Sequence, residues 1–471
     1  MAKVYSVGTL RYSLGGLLAA AAWLLWGDFC FTIFESLIPK YVPLLMKDLN
    51  ASNALIATMY ATLPGLANLF FAPVISTWSD RHRGRFGRRK PFLLVATPLV
   101  ALALLLIGFC PEIGNWLYAK VFVGNSSISA SAVMLGLLCL FVFCFHVFNM
   151  VLCYLYMFLY REVIPDEVIG RFLSVFRLVG LVASFVFLYY IMGFLATHRA
   201  LVFSGAALLC FVSFGVMCLM VKEGEHEPIK EEPEGLLKKI KDYLKVFIRI
   251  PIYRNYYLMI ILMTAAGAGV SAFGMIFARD QIGLSLDAIG KIQGWGYAAM
   301  AVVAIPAGML CDLWNPLKAT IVGFLATAVS ILVLSLGIHD ARTYMIFFVA
   351  TSTINLVMSI GLTSVGMLIF DKEKFGQLYG NGILVQMISG MVFGYVAGWL
   401  LDIVKNYYVI FIWQGVFLLI ATIPCVLMYR EWLTLGGAHG AYCPPKADFH
   451  EEPCIAVESS PGGQARSLEL D

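Results

Sequence analysis

The sequence predicts an all-α membrane protein with twelve transmembrane helices arranged as two six-helix bundles. Of its 471 residues, 60% are hydrophobic and only 13% are charged, whereas a soluble domain is about half apolar and about a quarter charged. Apolar segments of about 20 residues, the length that crosses a bilayer as a helix, recur along the chain. A polar stretch divides these segments into two groups of six. The net charge of +4 does not suggest a nucleic-acid-binding protein.

The expected helices of the first half cover residues 16–38, 53–78, 91–110, 131–160, 172–195 and 200–221. Those of the second half cover residues 255–278, 290–311, 318–338, 343–370, 377–401 and 407–429. No small-residue cleavage site follows the first apolar segment, so we expect it to be a helix and not a removed signal peptide. The expected organisation is an N-terminal bundle at 1–221, a cytoplasmic linker at 222–254, a C-terminal bundle at 255–432 and a disordered cytoplasmic tail at 433–471.

Charged residues in the loops predict the orientation of the chain. Lys and Arg are about three times as frequent in the loops on the side of both termini as in the opposite loops, which predicts cytoplasmic termini in a plasma membrane protein. The linker opens with KEGEHEPIKEEPEG, a composition typical of a flexible segment. It continues as LLKKIKDYLKVFIRI, whose apolar residues recur at helical spacing. This predicts a basic helix on the membrane surface, with a solvated connector as the alternative.

The sharpest motif is FAPVISTWSDRHRGRFGRRKPFLL at residues 71–94. Six Lys and Arg residues follow Asp80 closely, and Gly84 and Gly87 allow the chain to turn between two helices. The motif resembles the loop signature between the second and third helices of the major facilitator superfamily. Its longer form, from Ser79 to Phe92, is similar to that of the glycoside–pentoside–hexuronide cation symporters and the sucrose transporters.

This resemblance implies the major facilitator fold, a monomer without a cofactor, and transport of a solute by alternating access. It also implies that Asp80 meets the start of the eleventh helix, at about residues 375–381, and holds the cytoplasmic gate shut. A carboxylate is favoured at a helix N-terminus, which makes that contact physically reasonable. The alternative is that the basic cluster only fixes the topology. The gate residues implied are Asp80, Arg81, Gly87, Arg88, Arg89 and Lys90.

Ionisable residues inside the expected spans are few, and such residues are functional candidates. Asp28 lies midway along the first helix, and Glu35 follows seven residues later on the same face. Burial disfavours the charged form of a carboxyl group, so a buried carboxylate can bind a proton near neutral pH; a sodium site would also use carboxylates. Asp28 and Glu35 are therefore the predicted ion-coupling residues, with an exposed position at the rim as the alternative for Glu35.

Polar and aromatic residues near the middle of the spans predict the solute site. His146 and Asn149 lie one turn apart in the fourth helix. Arg177 in the fifth helix could bind an anionic solute or pair with an acid such as Asp28 or Glu162. Tryptophan and tyrosine rings could stack on a sugar, although both residues also populate membrane interfaces. The predicted solute-binding residues are Trp26, His146, Asn149, Arg177, Asn355 and Gln386.

These observations favour a secondary active transporter of a sugar or glycoside, coupled to protons or sodium. Its partners would be a small solute, a coupling cation and the lipid bilayer. The alternatives are an exporter or uniporter of another organic solute, and a receptor or assembly factor that kept the fold without transport. The 11 cysteines form no CxxC pattern, so no metal site is expected. Neither a P-loop nor a nucleophile–base pattern occurs, so neither a primary pump nor an enzyme is expected.

Overall fold

A computed structural model describes residues 5–7, 9–82, 84, 87–121, 129–224, 249–371, 375–437 and 442–445, with positions 73, 76, 77, 80, 310–313 and 377 described for the backbone only. Twelve helices of the described chain are long and apolar enough to cross a membrane, which confirms the all-α membrane fold. The amphipathic helix predicted at residues 236–247, and the tail beyond residue 445, lie outside the described residues.

The first half contains six of these helices, labelled α1 to α6. Two of them include a turn of another helix type: α2 contains a π-helical turn, and α5 ends in a π-helical and a 3₁₀ turn. Their bounds are Leu14–Asp48 (α1), Asn53–Ala57 with Thr58–Thr62 and Leu63–Arg81 (α2), Lys90–Gly108 (α3), Ala130–Val163 (α4), Asp166–Val186 with Phe187–Ile191 and Met192–Ala196 (α5), and Arg199–Met220 (α6). A short helix, Cys110–Val121, connects α3 to the loop before α4.

The second half contains the remaining six, α7 to α12. Helix α7 ends in a π-helical turn, and α10 begins with a capping box at Asp340 that satisfies the first backbone N–H groups of the helix. Their bounds are Pro251–Ile276 with Phe277–Gln281 (α7), Leu286–Leu313 (α8), Pro316–Ser335 (α9), Ala341–Ile369 (α10), Phe375–Val404 (α11) and Val409–Thr434 (α12). A small hairpin of β1 (Tyr5–Val7) and β2 (Leu10–Tyr12) precedes α1.

The first helix is longer than the sequence predicts. The expected segment ends at residue 38, but α1 continues to Asp48 through Pro39 and Pro43. The extension is stabilised by packing, because Tyr41 and most of the following side chains up to Met46 are buried. Lys40, which the sequence assigns to an outer loop, therefore lies inside α1.

The two halves meet most closely at one end of the bundle. We call the end that carries residues 82, 84 and 87–89 the motif end, and the end that carries residues 49–52 and 405–408 the distal end. Near the distal end, Gly394 and Gly398 of α11 let α2 approach closely. A Cβ at Gly394 would lie 2.6 Å from the Cβ of Ala61, and one at Gly398 would lie 2.6 Å from the carbonyl oxygen of Asn53. Small residues at helix interfaces allow this kind of approach.

Candidate functional site

A buried ion-pair network inside the first half holds the loop between α2 and α3. Arg89 is 4% exposed, and its Nε donates to Glu162 Oε1 at 3.1 Å. The Nε of Arg88 donates to the same oxygen at 3.0 Å, and Arg89 also donates to the Ser79 hydroxyl near the end of α2. Because Glu162 lies at the end of α4, the network joins α4 to the loop. Asp80 lies in the last turn of α2, but its side chain is outside the described part of the structure.

Glu223 fixes the backbone of the same loop. The N–H groups of Arg88 and Arg89 donate to Glu223 Oε1 at 2.9 and 2.8 Å, and that of Lys90 donates to Oε2 at 3.4 Å. Gly87 has a φ of 100°, and a Cβ there would collide with the Glu223 carboxylate. Burial, together with the charge of Glu162, raises the pKa of Glu223 more than the three N–H groups lower it. The sequence assigns Glu223 to a flexible linker, and the structure corrects this: it anchors the loop.

At the distal end, the last turn of α11 caps the first turn of α2. Asp402 Oδ1 accepts a hydrogen bond from the backbone N–H of Asn53 at 2.8 Å, and Oδ2 accepts one from Ala54 at 2.9 Å. The first N–H groups of a helix have no partner within the helix, and the helix dipole favours a negative charge there. The carboxylate therefore joins the second half of the chain to the first.

Further polar contacts close the distal end around this cap. The Asn53 side-chain oxygen accepts a hydrogen bond from the hydroxyl of Tyr407 at 2.9 Å and another from Lys47 Nζ at 3.1 Å. Arg279, in the last turn of α7, forms an ion pair with Asp48, in the last turn of α1, at 2.9 Å. Together these contacts connect α1 and α2 of the first half to α7, α11 and the α11–α12 loop of the second.

A polar cluster with unused hydrogen-bonding capacity lies between α1, α4 and α5. Asp28 is 5% exposed, and its Oδ2 has no hydrogen-bond partner within the described residues. Asn149 Nδ2 donates to Glu35 Oε1 at 3.4 Å, whereas Asn149 Oδ1 has no partner there either. On α5, Gly180 faces Asp28: a Cβ at Gly180 would lie 3.9 Å from both Asp28 Oδ2 and Thr32 Oγ1. The arrangement provides space and free oxygen atoms for a proton or a small cation.

A cavity with a volume of about 360 Å³ lies in the second half, between α7, α8, α10 and α12. Its wall combines aromatic rings with side-chain amides and hydroxyls, the composition expected of a small-molecule site. The polar and aromatic side chains that line it are Lys40, Ser271, Gln293, Tyr297, Tyr344, Phe347, Phe348, Thr351, Ser352, Asn355, Phe411 and Gln414.

The structure brings some of the predicted site residues together and separates others. Asp28, Glu35 and Asn149 form the polar cluster, and Asn355 lines the cavity. His146 lies one turn from Asn149, and its buried Nε2 has no partner within the described residues.

Other predicted residues lie outside these two groups. The Trp26 side chain is exposed and stacks on Phe29. Gln386 lines a separate cavity of about 130 Å³ beside Tyr256 and Tyr379. Arg81, expected at the gate, is exposed as well.

Arg177 does not form either of the ion pairs that the sequence suggested, within the described residues. Its side chain is exposed on α5, and the structure describes no ion pair between it and Asp28. Glu162, the other acid considered as its partner, pairs instead with Arg88 and Arg89. Arg177 lies three residues, about one turn, before Gly180, so it borders the polar cluster on the side of the motif end.

Comparison with known proteins places the chain in a family. The family model of the Major Facilitator Superfamily matches residues 24–380. Among curated proteins, the sucrose transport protein SUC3 of Arabidopsis thaliana is 28% identical over 23% of this chain and 18% of its own length. The sucrose transport protein SUT1 of Oryza sativa subsp. japonica is 32% identical over 22% of this chain and 18% of its own. The matched segments thus span about a fifth of the length of these relatives.

Solved structures share the fold over most of the chain. The nucleoside transporter NupG superposes with a TM-score of 0.60 at 11% identity, covering 88% of this chain and 100% of that one. A D-xylose–proton symporter gives a TM-score of 0.56 at 14% identity, covering 88% and 96%. With twelve helices long and apolar enough to cross a membrane, this architecture and a family model that matches most of its length, the chain is an integral membrane protein and belongs to the major facilitator superfamily.

Proposed function

We propose that this protein is a secondary active transporter that moves a sugar or glycoside by alternating access, coupled to protons or sodium. The observation that carries the proposal is the two-part site. The second half supplies a cavity lined by rings, amides and hydroxyls, and the first half supplies two acids, Asp28 and Glu35, two turns apart on α1. The partly matching relatives are sucrose transport proteins, which supports a sugar as the solute.

The cavity has the chemistry of a sugar site. Sugars present apolar ring faces and many hydroxyl groups, and the cavity pairs Tyr297, Phe348 and their aromatic neighbours with the amides of Asn355 and Gln414. Amides donate and accept hydrogen bonds at once, as hydroxyl groups do. A cavity of about 360 Å³ also lies within the usual size range for small-molecule sites, about 300–1,000 Å³.

Asp28 is the proposed primary ion-coupling residue, and Glu35 the secondary one. A buried carboxylate oxygen without a hydrogen-bond partner is unfavourable while it is charged. Binding a proton or a cation at Asp28 Oδ2 would remove that cost, and the space beside Gly180 and Thr32 gives the ion room. Asn149 donates a hydrogen bond to Glu35. Arg177, at the edge of the cluster, would be attracted more strongly when the two acids are charged than when they have bound the ion.

The proposed gates lie at the two ends of α2 and α11, which run antiparallel. At the distal end, Asp402 of α11 caps the N-terminus of α2. At the motif end, Asp80 lies in the last turn of α2, and it would cap the N-terminus of α11 at Phe375 when the carrier closes there. Glu162 and Glu223 contact Arg88, Arg89 and Lys90. These contacts would keep the loop rigid while the carrier opens at one end and closes at the other. We place the motif end and both termini in the cytoplasm, in a monomer of the plasma membrane.

Solute flux into proteoliposomes tests this function. Purified protein is reconstituted, and uptake of sucrose, maltose and monosaccharides is measured with a proton or a sodium gradient imposed. The proposal predicts accumulation of at least one of these sugars that stops when one of the two gradients is collapsed. Uptake that is unchanged when both gradients are collapsed would indicate a uniporter, and binding without flux would indicate a receptor. Gradient-driven uptake of non-sugar solutes alone would reject the sugar assignment.

A further inference from the structure

We infer that the preferred solute of the cavity is a sugar acid, whose carboxylate is bound by Lys40. The inference rests on the proposed function and narrows it from sugars in general to anionic sugars. It is carried by the position of one cation in the cavity wall and by the absence of a described counter-ion for it.

Lys40 is the one charged side chain among the cavity-lining residues that the structure describes. It lies on α1 of the first half, yet its Nζ donates to Gln293 Oε1 on α8 at 3.2 Å. Within the described residues this amide oxygen is its hydrogen-bond partner, and no acid forms an ion pair with it. A lysine ammonium has three donors, so two remain for a ligand.

Gln293 holds the ammonium group in place. Gln293 is 3% exposed, and its amide nitrogen lies 3.1 Å from the sulfur of Met275. Tyr344 lines the same cavity wall. The amide is thus fixed by its neighbours, and it directs Lys40 towards the cavity instead of the lipid.

The charge of Lys40 discriminates between solutes. A cation in a partly desolvated cavity is stabilised by an opposite charge far more than by a neutral amide. A carboxylate on the solute would supply that charge, whereas a neutral sugar would leave the ammonium with polar partners only and a cationic solute would be repelled. The hydroxyl groups of the same sugar acid would reach the amides of Asn355 and Gln414. The ammonium group and the amides of the cavity would then both bind the solute.

Two matched pairs of sugars provide the test, because D-glucuronate differs from D-glucose, and D-galacturonate from D-galactose, mainly in one carboxylate. Uptake into proteoliposomes and the ligand-induced rise in Tm of the purified protein are measured for all four. We expect the wild type to prefer at least one acid over its neutral partner roughly tenfold or more, the range of a hydrogen bond to a charged group. Lys40→Gln should abolish the preference, and Lys40→Arg should retain most of it.

Lys291→Gln is the matched control, because Lys291 is exposed on α8 and pairs with Asp287 outside the cavity. It should keep the preference of the wild type. If the wild type transports and binds the neutral sugars as well as the acids or better, the inference is overturned, while the proposed sugar transport is retained. An acid preference that survives in Lys40→Gln would overturn the role of Lys40. If none of the four sugars, nor any sugar of the flux panel, is moved or raises the Tm, the inference and the proposed function both fail.

Discussion

Asp402 accepts a hydrogen bond from the backbone N–H of Asn53 at 2.8 Å, although 349 residues separate them in the chain. The contact places a carboxylate of the second half on the N-terminus of a helix of the first half. In the alternating access that we propose, such a contact must break whenever the distal end opens. The strength of this cap therefore contributes to the balance between the two access states.

Asp402→Asn should shift the protein towards a state that is open at the distal end. The amide keeps the shape of the side chain but loses the charge that the helix N-terminus favours, and hydrogen bonds to charged groups contribute about 1.5–3 kcal/mol. A cysteine introduced in the cavity at Ser271, which is exposed there, should react several-fold faster with an impermeant maleimide from the distal side. Asp280→Asn is the control, because Asp280 pairs with Arg279 of its own half. Equal labelling in both variants would contradict the role of the cap.

Glu162→Gln should destabilise the first half strongly. Arg89 is buried and Arg88 nearly so, and both would lose the charge of the Glu162 carboxylate; removing one member of a buried ion pair costs about 3–5 kcal/mol. A clear fall in the Tm of the purified protein should report this. Glu112→Gln removes a surface pair with Arg199, which should cost about 1 kcal/mol or less. Similar Tm values for the two variants would show that the motif network is not a stabilising element.

Glu223 gives the stability a pH dependence whose sign follows from its raised pKa. Because burial makes the folded protein hold this proton more tightly than the unfolded chain does, Glu223 favours folding at low pH. That contribution is lost as the pH rises from the ordinary glutamate range through the raised pKa. The Tm of the wild type minus that of Glu223→Gln should therefore decrease with rising pH. A difference that increases over the same range would mean that the backbone N–H groups outweigh burial.

The sequence was sufficient to predict the spans, the motif loop and the polar residues at the middle of α1 and α4. Apolar length and helical spacing are local properties, so they can be recognised without a structure. Lys40 was misplaced because two prolines and a lysine end the apolar segment, whereas packing of Tyr41 to Met46 continues the helix. Proline within a helix is tolerated in a membrane protein when neighbouring groups satisfy the backbone.

The contacts that join the two halves could not be predicted from the sequence. Asp402 and Asn53 are ordinary residues near helix ends, and nothing local marks them as partners. Glu223 lies in a charged stretch typical of a flexible linker, and only the fold shows that it meets Arg88 and Arg89. Gln293 is a polar residue within an expected span, but its hydrogen bond to Lys40 depends on how α8 packs against α1.

The central claim, that Asp28 carries the coupling ion, is tested most directly by comparing accumulation with exchange in Asp28→Asn. The amide mimics the permanently protonated side chain, so a proton-coupled carrier should lose uphill accumulation of solute yet retain exchange, which requires no proton release. Asp166→Asn, at an exposed position at the start of α5, should retain both activities. Both are measured in the same proteoliposomes with a transported sugar from the flux panel. Loss of accumulation with retained exchange is the predicted result, and full gradient-driven accumulation by Asp28→Asn at every pH would contradict it.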